Sequence, residues 1–265
     1  MASYNPGMTR PKNYLLDMDG VLVRGSSLIP GAADFIGRLE AAGARYLVLT
    51  NNSSYAPRDL HARLARIGLR IPESAIHTSA QATAMFLSDQ KPRGSAYVVG
   101  EAGLTSALHD VGYIISDHRP DYVVVGETTS YSFERITQAT RLVAAGARFI
   151  ATNPDTSGPG DGGVIPACGA VAALIASASG VQPYFIGKPN PLMTRTALRK
   201  IEAHSENSVM IGDRMDTDVI LGTEGGLETV LVLTGIARRE DVERFPYRPT
   251  RIVETLAELP VEDQA

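Results

Sequence analysis

The sequence lacks most of what marks a secreted, membrane or nucleic-acid-binding protein. Cys168 is the only cysteine among 265 residues, which excludes an intrachain disulfide and any metal site built on cysteine pairs. The histidines are scattered and share no ligand spacing, so no chemistry is assigned to them. No uninterrupted apolar run approaches the roughly 20 residues that span a bilayer, so no membrane partner is expected. Residues Met1 to Lys12 are polar and contain no apolar stretch of the kind that heads a secretory signal; a cytoplasmic location is the expectation. Asn51 and Asn52 both match the glycosylation acceptor pattern, which carries little meaning without such a signal. Positive charge is not in excess: the formal net charge is −4, which leaves no basic field for nucleic acid.

What is present is ordinary for a globular protein, with 44% hydrophobic and 20% charged residues. The length suffices for two compact domains or one large one. Short β-rich apolar runs alternate with helical patterns almost throughout, the signature of an α/β protein with a mainly parallel sheet. The runs Tyr14–Leu16, Tyr46–Leu49, Ala96–Val99, Tyr122–Val125, Phe149–Ala151, Tyr184–Ile186, Val209–Ile211 and Thr229–Leu233 read as strands. No internal repeat is evident. The segment from Ser157 to Gly163 is rich in glycine and reads as a mobile loop. Its glycines do not follow a strand and open a helix, so they do not form a dinucleotide-binding fingerprint.

Asp17-Met18-Asp19-Gly20 stands at the exit of the first strand. Alternate residues of a strand share a face, so this spacing can aim two carboxyls at one spot. Like charges at close range need a cation or a proton. The four residues also fit a plain hairpin turn, and taken alone they leave both readings open. Three further apolar runs end on residues suited to phosphate chemistry: Leu47-Val48-Leu49 on Thr50, Phe185-Ile186-Gly187 on Lys188, and Met210-Ile211-Gly212 on Asp213. Each has a modest explanation as a helix cap, a lysine before a proline-opened helix, or a cap favoured by the helix dipole. Ligands of open α/β sheets bind outside the carboxyl ends of the strands. If the four runs lie side by side in one sheet, the four residues meet in a single crevice.

Asp17-Met18-Asp19-Gly20, Thr50-Asn51, Lys188-Pro189 and Gly212-Asp213 through Thr217-Asp218, in that order, resemble the four motifs of the haloacid dehalogenase (HAD) superfamily of phosphohydrolases. Gly126-Glu127-Thr128, Ala151 to Thr156 and Pro166 to Ala170 are similar to its NagD-like branch. The resemblance implies a Rossmann-like core with a mainly parallel sheet, formed by 1–79 and 185–265, and an inserted α/β cap of the C2 type at 80–184. It implies a phosphatase of small soluble phosphomonoesters, with nucleoside 5′-monophosphates such as UMP first among them. Sugar phosphates, phosphoglycolate or glycerol phosphate are the alternatives, and a non-catalytic phosphate sensor is the rival from another class. The dozen residues ahead of the first strand are not needed by the family, and Arg214 stands at a motif position that varies within it.

On this resemblance Asp17 is the nucleophile and Asp19 the acid and base, a role that expects Asp19 to be partly buried. Thr50, Asn51 and Lys188 bind phosphate, with Arg214 and Thr217 as further candidates. Asp17, Asp213, Asp218 and the backbone carbonyl of Asp19 surround a metal, with Asp218 acting through water. An all-oxygen donor set suits Mg²⁺. Glu127, Thr128, Asn153 and Asp155 are the cap residues that would touch substrate, with turn and cap duty as the plainer alternative. Cys168 reads first as a buried small hydrophobe and second as a substrate contact. The substrate is the one partner implied; homo-oligomer formation stays open.

Overall fold

The computed structural model describes residues 13–160 and 163–261. Residues 1–12, 161–162 and 262–265, which include the whole N-terminal extension, lie outside the described residues. The chain divides into two compact units, one of 1–48, 67–69 and 197–265, the other of 49–66 and 70–196. The second unit contains all of 80–184, together with flanking segments that the sequence assigns to the core.

The first unit is built on parallel strands in the order Arg251–Val253, Glu228–Val232, Ser208–Gly212, Asn13–Leu16 and Tyr46–Thr50. Asn13–Leu16 and Ser208–Gly212 are buried along their whole length, as parallel strands covered on both faces must be. The helix Ala32–Ala41 buries Phe35, Ile36 and Leu39, a spacing that puts all three on one face. Gly43, at φ +64°, turns the chain out of it. Strand Tyr46–Thr50 passes into the second unit at Leu49, and Ile76–Thr78 is its neighbour in the sheet.

The second unit has its own parallel sheet, ordered Tyr184–Phe185, Arg148–Ala151, Tyr122–Val125, Ser95–Val99 and Ile114–Ile115. Helices Phe133–Ala144 and Cys168–Ser179 pack Ile136, Ala139, Val171 and Ile175 with Val123, Val125 and Phe149. Helix Ser79–Gln90 opens on a reciprocal cap in which Thr78 Oγ1 accepts from the Gln81 amide and Gln81 Oε1 from the Thr78 amide. Among the described residues, no helix is long and apolar enough to cross a membrane.

Two sequence expectations need correction. The glycine-rich segment is a hairpin, Ser157–Gly160 against Gly163–Pro166, with Gly158 opposite Ile165 and Pro159 opposite Val164. Proline is tolerated there because a two-stranded ribbon leaves it an unpaired side. The four motif-bearing runs also do not share one sheet. Three do, but Tyr184–Phe185, which leads to Lys188, pairs with Ile150 and Ala151 at the edge of the second sheet.

Candidate active site

In the first unit, strands Asn13–Leu16 and Ser208–Gly212 run parallel with Leu16 opposite Ile211. The Asp17 amide donates to the Ile211 carbonyl (2.9 Å), so Asp17 and Asp213 emerge together at the carboxyl edge. A wide turn, Met215–Val219, then folds back on the strand end. Its opening bond runs from the Val219 amide to the Arg214 carbonyl (3.1 Å), and turns of this width recur at functional sites. Asp218 Oδ2 accepts the Arg214 amide (3.1 Å). Gly212 permits that return, since a Cβ there would collide with the Asp218 side chain.

Asp17, Asp213 and Asp218 each offer a carboxylate oxygen within 4.8 Å of the others, and all three are buried. Three buried carboxylates at such range repel strongly unless cations offset them. The backbone is shaped around Asp213. Its Oδ2 accepts the Ile236 amide (2.7 Å), and a Cβ at Gly20 or at Gly235 would overlap that same oxygen. Oxygen-only, anionic and rigidly held, this donor set fits a hard divalent cation such as Mg²⁺.

Asp19 is exposed, which corrects the expectation of partial burial. It sits in a tight loop where the Gly20 amide bonds the Val23 carbonyl (2.7 Å) and the Met18 carbonyl accepts from Leu22 and Val23. Asp19-Gly20 is not the turn of a hairpin between its flanking strands, since Asn13–Leu16 pairs with Ser208–Gly212 and Tyr46–Thr50, while Val23–Arg24 pairs with Ser27–Leu28 further on. Arg214 forks onto Asp216, at 2.9 and 2.8 Å. Burial opposes the charge on Asp216, but Arg214 outweighs it and holds the carboxyl below its usual range. Thr217 is buried in the turn.

The sequence reading missed the loop from Thr234 to Ile236. Thr234 Oγ1 donates to the Gly20 carbonyl (2.7 Å), and the Ile236 amide holds Asp213 Oδ2. The available signal was positional, because strand Glu228–Val232 borders Ser208–Gly212 and ends at the same edge.

In the second unit, Thr50 and Lys188 are both buried. Thr50 Oγ1 accepts the Asn52 amide (3.1 Å), and Asn52 Oδ1 accepts the amides of Ser54 and Tyr55. Asn51 joins the two motifs. Its Oδ1 accepts the Lys188 amide (2.8 Å), while its Nδ2 donates to the Lys188 carbonyl (3.1 Å) and to Asp155 Oδ2 (2.8 Å). Gly187 makes room, as a Cβ there would fall 2.6 Å from Asn51 Oδ1.

The cap candidates are tied into the same network. Asn153 Nδ2 donates to the Asn51 carbonyl (2.9 Å) and its Oδ1 accepts the Asp155 amide (3.1 Å). Glu127 and Ser53 exchange bonds: the Glu127 carboxylate accepts the Ser53 amide (3.2 Å), and Ser53 Oγ accepts the Glu127 amide (2.8 Å). Thr128 Oγ1 donates to the Glu101 carboxylate and accepts the Ser130 amide. Cys168 is fully buried, donating to the Val125 carbonyl (3.3 Å). Burial pushes its thiol up to about 11. Ser53 and Glu101 had no flag in the sequence, because their roles depend on partners far away in the chain.

Residues 14–114 match the haloacid dehalogenase-like hydrolase family and 185–259 match a second, HAD-hydrolase-like family. The chain belongs to the haloacid dehalogenase superfamily, in its NagD-like phosphatase branch. It is therefore an enzyme, a hydrolase of phosphoric monoesters. It is 56% identical over 252 residues to a dihydroxyacetone phosphatase of Corynebacterium glutamicum, spanning 95% of this chain and 92% of that one. It is 45% identical over 250 residues to the ribonucleotide monophosphatase NagD of Escherichia coli, spanning 94% and 98%. The solved structure of NagD from E. coli K-12 superposes with a TM-score of 0.91, covering 96% of this chain and 100% of that one. An acid sugar phosphatase of Staphylococcus aureus is 37% identical over 256 residues, spanning 96% and 99%.

Proposed function

We propose that the enzyme is a Mg²⁺-dependent phosphatase of small hydroxylated metabolites that works through a phosphorylated Asp17. The observation that carries this reading is the buried triad of Asp17, Asp213 and Asp218 at one sheet edge. Asp17 attacks phosphorus in line, forming an acyl phosphate as the ester P–O bond breaks. Asp19 gives its proton to the departing alkoxide. It then takes a proton from the water that attacks the same phosphorus, which releases inorganic phosphate and restores the Asp17 carboxylate. Thr50, the Asn51 amide and Lys188 bind the phosphoryl oxygens, a clamp of neutral and cationic donors for a dianion. Asp17, Asp213 and the Asp19 carbonyl would hold the cation, with Asp218 acting through water, and the bound cation would supply charge stabilisation to the phosphoryl oxygens.

Two relatives bear on the leaving group. The dihydroxyacetone phosphatase has the higher identity of the two, which supports a triose phosphate as the first substrate; NagD supports nucleoside monophosphates as the second. Asp17→Asn is expected to lower phosphate release at least about a thousandfold. Full activity in that variant would overturn the mechanism. A panel of dihydroxyacetone phosphate, UMP, glycerol phosphate, phosphoglycolate and hexose phosphates, compared by kcat/KM, decides the substrate. A profile led by UMP would put nucleotides ahead of triose phosphates.

A further inference from the structure

Asp155 stands among the cap residues that the family resemblance offers as substrate contacts, yet its observed bond points elsewhere. We propose that Asp155 is a positioning residue for the phosphate-binding Lys188, acting through the carboxamide of Asn51; the inference rests on the phosphatase reading above. An amide side chain can present its oxygen and nitrogen in either of two orientations. The orientation of Asn51 is decided by its partners. Oδ1 faces the Lys188 amide, an obligate donor, at 2.8 Å. Nδ2 faces the Lys188 carbonyl at 3.1 Å and Asp155 Oδ2 at 2.8 Å. A carboxylate only accepts, so Asp155 fixes which end of the amide is the donor.

Asn51 thus grips both backbone groups of Lys188 as a neighbouring strand would. The grip takes over where main-chain pairing stops, since the Ile186 and Gly187 amides still bond the Ala151 and Thr152 carbonyls (3.0 and 2.8 Å). The main chain of Asn51 is held as well, by Ser79 Oγ (2.6 Å) and Asn153 Nδ2 (2.9 Å) on its carbonyl. Asp155 is anchored in turn, with its amide on Asn153 Oδ1 and its carbonyl accepting the Gly169 amide (2.7 Å). The Gly169 contact requires glycine, because a Cβ there would crowd the Pro154 carbonyl. A rigid path therefore runs from the start of helix Cys168–Ser179, through Asp155 and Asn51, to the backbone that carries the ammonium.

A positioning residue and a substrate contact make different predictions. Loss of Lys188 alignment weakens every phosphate equally, including inorganic phosphate, which has no leaving group. Loss of a substrate contact affects substrates unequally and leaves inorganic phosphate alone. In Asp155→Ala, KM and the inhibition constant of inorganic phosphate should both rise roughly tenfold, by the same factor for dihydroxyacetone phosphate, UMP and p-nitrophenyl phosphate. Asp155→Asn keeps an acceptor oxygen and should return within about threefold of wild type. If Asp155→Ala does not fold, Asn51→Asp serves instead. It is isosteric but sets an acceptor against the Lys188 carbonyl and Asp155, and should raise the phosphate inhibition constant likewise. An unchanged inhibition constant in the folded variant, in an active enzyme, overturns the positioning role. A wild type that releases no phosphate, or an Asp17→Asn variant that releases it fully, would sink the underlying reading instead.

Discussion

The two units solve opposite electrostatic problems by different means. The first gathers three buried carboxylates at a sheet edge and relies on backbone shape, with Gly20, Gly235 and the Ile236 amide moulded around Asp213. The second gathers a hydroxyl, an amide and an ammonium, and relies on side chains that bond one another across long sequence separations, Asn51 with Lys188 and Asp155 above all. Strand adjacency builds the first site, whereas a hydrogen-bond network builds the second. Damage should therefore differ in kind: the first unit should lose turnover and metal affinity, the second phosphate affinity.

The largest effect expected is from chelation. EDTA should reduce phosphate release to background, and added Mg²⁺ should restore it, because the cation offsets the repulsion of Asp17, Asp213 and Asp218. Turnover that survives exhaustive chelation would break the contrast, since the carboxylates would then need another partner. Next is Gly235→Ala, which removes no functional group. The added methyl must displace Asp213 Oδ2 or the loop that holds it. A loss of about a hundredfold in kcat is expected, with weaker Mg²⁺ affinity by titration and an inhibition constant for inorganic phosphate that changes much less. Equal losses in all three would show that the two sites are not separable in this way.

The same contrast explains what could be read in advance. Asp17 and Asp213 were legible because an apolar run that ends on a carboxylate is a local pattern, and parallel pairing carries both ends to one edge. Lys188 was legible as a residue but not in its place. Tyr184-Phe185 has the look of any short strand, and nothing local says that its partner is Ile150 and Ala151 and not the core sheet. Asn51 was assigned through its backbone, while its side chain does the joining. Such a role is set by where Lys188 and Asp155 fall, more than a hundred residues away along the chain. The hairpin at Ser157–Pro166 was hidden because glycine and proline usually report turns, and pairing of the two arms prevails over propensity. The exposure of Asp19 was hidden because a motif names residue types without stating depth.

The smallest effect serves as a control on the second unit. Asp121 lies just before strand Tyr122–Val125 of that unit, away from Asn51 in sequence and bonding. It accepts from Lys91, from the Ser95 amide (2.9 Å) and from Ser95 Oγ (3.1 Å). The hydrogen bond from Lys91, then that from the Ser95 backbone, hold its carboxyl below the ordinary 3.8. A depressed folded value means stability that is present above the unfolded value and lost as pH falls through the folded one. The pair is partly open to water, so it should contribute no more than about 1 kcal/mol. Asp121→Asn should thus lower the urea midpoint slightly at pH 7, and the gap from wild type should close in acid below pH 3.8. KM and the phosphate inhibition constant should stay at wild-type values. If Asp121→Asn weakened phosphate binding as strongly as Asp155→Ala, general loosening of the second unit would explain both, and the path through Asn51 would have no special standing.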